Sequence, residues 1–217
     1  MTELELALRL ADTADAITLA RFRATDLDVR TKSDGSPVSD ADSRTEEALR
    51  AILQRERPEH AIVGEEMPPV GDAPWRWYLD PVDGTVNYVR GVPVWGTLIA
   101  LHHDDEPVCA VVSAPALHRR WWAQRGAGAF TNGDQRLHVS RTRRLADAYI
   151  STTDIGDLWN RGFGSGFEAV AMSSGRRRAF GDFWQHMLVA EGAIDVAIEA
   201  VVRPWDLAAP QLIVEEA

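Results

Sequence analysis

Acidic side chains recur at the points where predicted strands end and predicted helices begin. They are Glu65, Glu66, Asp80, Asp83, Asp206 and, in the first turn of a helix, Asp40. Acids at such junctions can converge on one crevice, where their negative charges would repel each other without cations. Hard oxygen ligands, with no accompanying His or Cys pattern, favour Mg²⁺ or Mn²⁺ over zinc. The pattern therefore predicts a divalent metal site.

The segment Asp80-Pro-Val-Asp-Gly-Thr85 carries the most chemical information. Pro81 has no N–H and is expected to end the strand ladder at that point. Gly84 permits a tight turn, and the amides after Asp83 would open a short helix whose free N–H groups suit a phosphate. No P-loop lysine is present, so metal ions would have to neutralise the phosphate charge. The segment thus predicts two metal-binding carboxylates beside a phosphate cradle.

Each acid also has a purely structural interpretation, as a helix cap or as part of a solvated turn. For Asp40 both interpretations stay open, because an acid in the first turn of a helix is favoured in any case. For Glu66 the structural role is preferred over direct ligation. Asp80 and Asp83 together favour the metal interpretation. Asp206 alone would be a helix cap, and it is interpreted as a metal ligand only because the other two acids are present.

The elements that must position these residues are mixed helices and strands. Capping signals at Thr2 and Ser39 predict one helix over about 2–23 and a second that ends just before Pro58. Strands are predicted over 61–63, 75–79, 96–102, 107–113, 119–124, 149–152 and 193–199. Further helices are predicted over 167–172, 183–191 and 206–216. Helix pairs that flank runs of strands indicate a layered α+β sandwich.

Composition and charge exclude several function classes. The 217 residues include 33 acidic and 23 basic side chains, for a net charge of −10, which argues against nucleic-acid binding and fits metal ions or cationic ligands. No apolar run approaches the roughly 20 residues that span a bilayer, and the acidic N-terminus lacks the basic start of a secretory signal. The single cysteine, Cys109, excludes an intrachain disulfide. A cytoplasmic enzyme without membrane or nucleic-acid partners is expected.

At its acidic motifs the sequence resembles the inositol monophosphatase-like family of metal-dependent phosphatases. The matching segments are Gly64-Glu-Glu66, Asp80-Pro-Val-Asp-Gly-Thr85 and Trp205-Asp-Leu-Ala-Ala209. The resemblance covers nearly the whole chain and implies an αβαβα sandwich, the α+β fold of inositol monophosphatase and fructose-bisphosphatase. A single domain over 1–217 is expected, with a metal and phosphate lobe over about 1–140 and a substrate lobe over 141–217. Family members usually continue past this C-terminus, so the chain is expected to be C-terminally incomplete.

The resemblance also implies roles for individual residues. The metal ligands would be Glu65, Asp80, Asp83, Asp206 and the backbone carbonyl of Val82. Phosphate would be held by Asp83, Gly84 and Thr85. The attacking water would be positioned or deprotonated by Thr85 and Asp40, and Glu65 would help to hold it through a metal. Lys32 would contact an acid of the metal site.

The implied reaction is direct in-line attack of water on phosphorus, without a phosphoenzyme. One metal ion would lower the pKa of the water and another would stabilise the leaving alkoxide. Mg²⁺ is the expected ion, with Mn²⁺ as an alternative.

A closer resemblance is to the histidinol-phosphate phosphatase branch of the family. Its matching segments are Asn87 to Leu101 and Arg178-Ala-Phe-Gly-Asp-Phe-Trp184. The branch implies hydrolysis of L-histidinol phosphate, a step of histidine biosynthesis. Substrate contacts would come from Asn87, Arg178, Asp182, Glu199 and Asp206. Carboxylates suit the cationic groups of this substrate, although Asp182 can equally cap the following helix.

Two other functions stay open. One is an inositol-1-monophosphatase, or another sugar or nucleotide phosphatase of the same fold. The other is a non-catalytic protein that binds metal or phosphate. The resemblance favours a homodimer, and Trp121-Trp122 is expected to cover a sheet edge or a contact between subunits.

Overall fold

Seven helices and twelve strands make up the computed structural model, which describes residues 1–217. The helices are α1 (Glu3–Arg21), α2 (Asp40–Glu56), α3 (Thr85–Val89), α4 (Ile155–Asn160), α5 (Gly164–Ser173), α6 (Asp182–Ala190) and α7 (Pro204–Glu216). The strands are β1 (Val29–Thr31), β2 (Pro37–Ser39), β3 (Ala61–Gly64), β4 (Trp75–Asp83), β5 (Gly96–His103), β6 (Glu106–Ala114), β7 (Arg119–Gln124), β8 (Gly128–Thr131), β9 (Gln135–Arg136), β10 (Tyr149–Thr152), β11 (Arg176–Arg178) and β12 (Val196–Ile198). None of the helices is both long and apolar enough to cross a membrane.

The strands form one large sheet, one small sheet and a hairpin. Strands β3 to β9 lie side by side in chain order in a seven-stranded sheet. Only the β3–β4 pair of this sheet is parallel, and its other pairs are antiparallel. The small sheet has the order β11-β10-β12 and is parallel throughout. Strands β1 and β2 form an antiparallel hairpin before α2.

Helices cover both faces of the large sheet. Helices α1 and α2 pack on one face, in a core that includes Leu6, Leu10, Leu49, Trp77 and Ile99. Helices α6 and α7 pack on the other face, in a core that includes Leu98, Val112, Phe183, Met187 and Leu212. Helix α6 also contacts β12 of the small sheet, and α5 packs on that sheet through Phe167 and Val170. The layers therefore run α, β, α, β, α, which confirms the predicted α+β sandwich.

Two predicted capping signals position the first two helices as expected. The Thr2 hydroxyl accepts the Glu5 N–H, and the Glu5 carboxylate accepts the Thr2 N–H. Ser39 and Asp42 form the same reciprocal arrangement at the start of α2. These local bonds satisfy N–H groups that the first helical turn leaves without partners.

The ladder between β4 and β5 is interrupted at Pro81, as predicted. Its register shifts between the pairs Asp80–Leu98 and Asp83–Gly96. The strand itself nevertheless continues to Asp83, beyond the predicted end at residue 79. A β-bulge tolerates proline because the ladder is interrupted there.

One expectation about the outer parts of the fold is corrected, and another stays a prediction. Trp121 is 0% exposed and packs against Phe183 and Trp184, so it covers no edge. Helices α6 and α7 follow residue 140 but pack on the large sheet, so chain order alone does not separate two lobes. The two-lobe division stays a prediction.

Protonation of His60 should destabilise the fold. The Trp77 indole N–H donates to His60 Nδ1 over 3.0 Å, which requires an unprotonated Nδ1, and burial lowers the pKa of His60 below 6.5. A depressed native-state pKa of histidine means that its contribution is present above about pH 6.5 and is lost as the pH falls. On acidification, loss of this bond should lower the free energy of unfolding by about 1 kcal/mol, which is the usual contribution of one hydrogen bond.

Urea denaturation of wild type and His60→Asn, at neutral pH and at about pH 5, checks this expectation. Asparagine keeps an acceptor for the indole and does not titrate in this range. The variant should therefore lose less stability on acidification than the wild type. Equal losses in the two proteins would contradict the assignment.

Candidate active site

Three acids meet where β4 ends and α7 begins. Asp80 and Asp83 lie on either side of the bulge in β4, and Asp206 lies in the first turn of α7, after Pro204. Proline at this position favours the start of a helix. One carboxylate oxygen from each acid lies within 4.8 Å of the others. The predicted convergence of acids from distant segments is thus present in the structure.

A backbone N–H fixes the orientation of each of these carboxylates. Asp80 accepts the N–H of Val82 over 3.0 Å, Asp83 that of Phe183 over 2.6 Å, and Asp206 that of Arg203 over 2.7 Å. Each bond uses one carboxylate oxygen. The second oxygen of each acid receives no hydrogen bond from the protein and is available to a ligand.

Burial and mutual repulsion disfavour the ionised forms of these acids. Burial, followed by the charges of Glu65, Asp83 and Asp206, raises the pKa of Asp80 well above its usual value. Burial, followed by the charge of Asp182, does the same to the pKa of Asp83. Burial raises the pKa of Asp206 to about 6, against the Arg203 N–H bond, which lowers it.

The donor set fits a hard divalent cation. The charges that raise the pKa of Asp80 and Asp83 belong to other carboxylates. Arg203 supplies a counter-charge to Asp206, but burial and the charges of Glu65 and Glu199 still raise the pKa of Asp206. Free carboxylate oxygens from three acids are ligands of the kind that Mg²⁺ and Mn²⁺ prefer. A bound cation would therefore relieve the repulsion within the cluster.

Glu65 lies near these acids but is engaged elsewhere. Lys32, in the loop between β1 and β2, donates from Nζ to Glu65 over 2.6 Å and to Glu66 over 2.7 Å. Burial alone would lower the pKa of Lys32, but its bonds to the two carboxylates outweigh burial and raise it. The structure thus shows the Lys32 contact that the resemblance implied. Direct ligation by Glu65 stays a prediction, since its oxygens are outside the cluster of three.

Thr85 begins the short helix that follows the bulge. Its hydroxyl lies 2.9 Å from the Val82 carbonyl and 3.2 Å from Asp42 Oδ1, and it can donate its one proton to either. The Val82 carbonyl, an expected metal ligand, is therefore also an acceptor for Thr85. Gly84 has φ +81°, and a Cβ there would lie 3.1 Å from the Val94 carbonyl, so the turn into α3 requires glycine. The first amides of α3 have no acceptor within the helix, as a phosphate cradle requires.

The structure places Asp42, and not Asp40, beside Thr85. Asp40 pairs with Arg21 over 3.1 Å and with Arg44 over 3.0 Å, and so points away from the Thr85 hydroxyl. Asp42 is 0% exposed, and burial raises its pKa against the hydrogen bonds of Ser39 and Thr85. The catalytic role expected of Asp40 stays a prediction, and the structure adds Asp42 as a second candidate for the acid that activates the water.

A pocket opens beside the three acids, in the direction of α6 and β12. Its lining consists of Asp83, Thr153, Asp182, Phe183, His186, Glu199, Val201, Val202, Asp206 and Leu207. Asp182 and Glu199, both predicted to contact substrate, lie in this lining. Burial, followed by the charge of Glu199, raises the pKa of Asp182 to about 6, and His186 acts in the opposite direction.

The acids of the pocket are held by polar neighbours. Glu199 accepts hydrogen bonds from Thr153 and Gln185, and His186 Nε2 lies 3.6 Å from it. Asn87 donates to the Val94 carbonyl over 2.9 Å and to Asp182 over 3.3 Å. Asn87 therefore supports Asp182 and is not part of the lining.

The interpretation of Asp182 as a helix cap is wrong, and the substrate contact expected of Arg178 stays a prediction. The Asp182 side chain does not cap α6, since the Phe183 N–H donates to Asp83 instead. Asp182 has a left-handed backbone, with φ +46°, a conformation that aspartate tolerates better than most residues. Arg178 lies exposed on β11, donates to the Arg177 carbonyl and is absent from the pocket lining.

Sequence reasoning missed Asp42 and Thr153 as candidate site residues. The sequence does contain a signal for Asp42. Ser39 and Asp42 have the three-residue spacing of a capping box, and in that motif the side chain of the second residue lies at the start of the helix. No local signal marks Thr153, whose hydroxyl meets Glu199 and the Asp182 N–H only in the folded chain.

Comparison with known proteins identifies the family. The model of the inositol monophosphatase family matches residues 2–217. The chain belongs to the inositol monophosphatase family. Members of this family are metal-dependent, in keeping with the acid cluster.

Individual members agree with this assignment. The chain is 48% identical to a histidinol-phosphatase of Streptomyces coelicolor, over 100% of this chain and 85% of that protein. It is 47% identical to a histidinol-phosphatase of Mycobacterium tuberculosis, over 99% and 85% of the two chains. Among solved structures, an inositol monophosphatase from Zymomonas mobilis is 35% identical, with a TM-score of 0.87 over 99% of this chain and 82% of that one.

Substitution of Asp80 by asparagine should separate charge repulsion from metal binding. The amide oxygen of Asn can still accept the Val82 N–H, while one buried negative charge is removed. Without metal we expect the variant to melt a few degrees above the wild type, since about 1 kcal/mol corresponds to roughly 2–4 °C in a domain of this size. Mg²⁺ should raise the Tm of the wild type and should have little effect on the variant.

Thermal melts with Mg²⁺ and with a chelator provide the measurement. Asp72→Asn is the matched control, because Asp72 is 97% exposed at its side chain and its loss should alter neither Tm nor the response to Mg²⁺. A wild-type Tm that does not respond to Mg²⁺, or an equal response in D80N, would contradict the metal site.

Proposed function

We propose that this member of the family is a Mg²⁺-dependent phosphatase that hydrolyses L-histidinol phosphate to L-histidinol and phosphate. One observation carries the choice of substrate. The lining of the pocket beside the acid cluster includes four acids, Asp83, Asp182, Glu199 and Asp206, and no lysine or arginine. A cationic amino alcohol fits this charge, whereas a neutral polyol does not require it.

The metal ligands in this proposal are Asp80, Asp83 and Asp206, with Glu65 and the Val82 carbonyl as further expected ligands. When bound, Mg²⁺ supplies charge neutralisation for the phosphate and lowers the pKa of coordinated water. Mn²⁺ has the same preference for oxygen ligands and is the alternative ion.

The chain's own residues perform the remaining tasks. The first amides of α3, at Gly84 and Thr85, donate to the phosphate oxygens, and Asp83 orients the turn that presents them. Thr85 donates its proton to Asp42 and accepts a hydrogen bond from the attacking water. Asp42, with its raised pKa, is suited to take up the proton that the water releases through Thr85.

Water attack forms a new O–P bond while the bond from phosphorus to the alcohol oxygen breaks. The alcohol oxygen takes up a proton from a solvent water and departs into the acidic pocket, where Asp182 and Glu199 hold its cationic groups; the proton held by Asp42 returns to solvent, which closes the proton balance. Charge-assisted hydrogen bonds of this kind are stronger than neutral ones, so the pocket selects the substrate through its leaving group.

Two relatives named histidinol-phosphatase support this substrate, at 48% and 47% identity. The second candidate is an inositol-1-monophosphatase activity, which the solved inositol monophosphatase at 35% identity supports less strongly. A non-catalytic metal-binding protein is the third possibility, and the aligned Thr85 and Asp42 argue against it. The homodimer and the cytoplasmic location stay predictions.

A panel of phosphate esters tests the substrate. Phosphate release from L-histidinol phosphate should be far faster than from inositol 1-phosphate and should require Mg²⁺. Asp182→Asn should raise KM for L-histidinol phosphate by about tenfold or more, the value of one hydrogen bond to a charged group, and should affect inositol 1-phosphate less. Arg178→Ala should leave both rates close to those of the wild type, because Arg178 is outside the pocket.

The panel separates the three functions. The reverse substrate preference would establish the inositol phosphatase. A folded protein that releases no phosphate from any ester at any Mg²⁺ concentration would support the non-catalytic alternative.

Asp42 and Asp40 can be compared directly. Asp42→Asn and Thr85→Ala should each lower kcat by about 10²–10⁴, the usual contribution of a positioned proton acceptor. Asp40→Asn is the matched control, two residues away on the same helix, and should keep most of kcat. Steady-state kinetics at saturating Mg²⁺ give the answer, and a large loss in D40N with little loss in D42N would reverse the assignment.

A further inference from the structure

A buried ion pair on α2 lies next to the segment that follows β3. The side chain of Glu46 is 0% exposed and that of Arg50 is 6% exposed, and Arg50 Nε donates to Glu46 over 2.7 Å. Residues four apart lie on the same face of a helix. A buried ion pair is on average no more stabilising than apolar residues of similar size, so the stability of α2 does not account for this pair.

Both members of the pair direct their remaining hydrogen bonds at the main chain after Glu65. Glu46 accepts the N–H of Glu66 over 2.7 Å and the N–H of Met67 over 3.1 Å. Arg50 donates to the Met67 carbonyl over 2.9 Å and to the Pro68 carbonyl over 3.0 Å. These residues belong to no helix or strand, so the ion pair supplies the bonds that a sheet ladder would otherwise provide.

The glycine at position 64 makes room for this arrangement. A Cβ on Gly64 would lie 2.2 Å from Glu46 Oε1 and 2.5 Å from its Cδ, which is too close for any side chain. Since the φ of Gly64 is not positive, the constraint is space and not backbone conformation. The carboxylate of Glu46 thus passes directly against the main chain at the end of β3.

The segment held in this way carries Glu65 to the metal site. On its other side, the Glu65 N–H donates to the Leu79 carbonyl of β4 over 3.2 Å. Glu65 therefore lies between the strand that carries Asp80 and a turn that Glu46 holds.

We propose that Glu46 is a positioning residue of the metal site. By fixing the main chain at Glu66 and Met67, it sets the place of the Glu65 carboxylate relative to Asp80. The proposal rests on the proposed metal-dependent function, and it adds a residue on α2 that touches neither metal nor substrate.

Replacement of the whole pair tests the proposal without leaving a buried charge. Glu46→Met combined with Arg50→Met keeps similar volume and should fold with a metal-free Tm within a few degrees of the wild type. The Kd for Mn²⁺, measured by titration calorimetry, should rise about 10–100-fold, as is usual when residues that support metal ligands are changed. The Mg²⁺ concentration for half-maximal activity should rise in parallel, while kcat at saturating Mg²⁺ is largely kept. A folded double variant with the wild-type Kd for Mn²⁺ would overturn the proposal.

Gly64 gives a second, independent test. Gly64→Ala should weaken Mn²⁺ binding because its methyl group displaces the Glu46 carboxylate. In a protein that also carries Glu46→Ala, the methyl group has room. The rise in the Kd for Mn²⁺ in the double variant should therefore be much smaller than the product of the rises in the two single variants. Independent effects on Kd would contradict the contact and the role derived from it.

Asp15→Asn is the control for general destabilisation. Asp15 accepts hydrogen bonds from Arg120 and Ser113, and none of its hydrogen bonds reaches the segment after β3. Its loss should lower Tm and leave the Kd for Mn²⁺ unchanged, and an equal rise in Kd would show that lost stability alone explains the Glu46 variants. A wild-type protein that binds no Mn²⁺ would instead refute the proposed metal function.

Discussion

Repulsion among buried carboxylates is the constraint on which the rest of the structure depends. Asp80, Asp83 and Asp206 come within 4.8 Å of one another, and burial together with their mutual repulsion opposes their ionisation. Such an arrangement is costly in the free energy of folding. It persists because two apolar cores on the faces of the large sheet stabilise the elements that carry the acids. A bound divalent cation would offset the repulsion among the three carboxylates, so the same arrangement that opposes folding favours binding of the cation.

The acids are held by the main chain of other elements, which connects the site to the fold. Asp83 on β4 accepts the N–H of Phe183 in the first turn of α6, so one carboxylate connects the acid cluster to a helix that lines the pocket. The bulge at Pro81 makes this possible, because it offsets Asp83 from the register that Asp80 follows. Placement of polar groups at the ends of rigid elements gives more precise geometry than placement on long loops.

Local signals predicted much of the fold, and their successes have local causes. Thr2 and Ser39 begin helices because their capping bonds lie within three residues of each. The acid cluster was predictable from residue types at strand ends, together with the family resemblance. The choice between Asp40 and Asp42 was not settled by residue type, since both are acids in one helical turn. It depends on which side chain faces Thr85, a residue 43 positions from Asp42.

The errors share a physical origin in long-range contacts. The residue type of Asp182 suggests a cap for α6, yet Asp182 is the first residue of that helix, and Asp83, which is 100 residues before Phe183, accepts the Phe183 N–H. Asp182 is thereby released to face the pocket, where its carboxylate adds to those of Glu199 and Asp206. In the folded chain Asp83 accepts the helix N–H and Asp182 lines the pocket. In the proposed function, Asp182 would place negative charge on the leaving-group side of the site, and charge at that position can distinguish members of a family that share one fold.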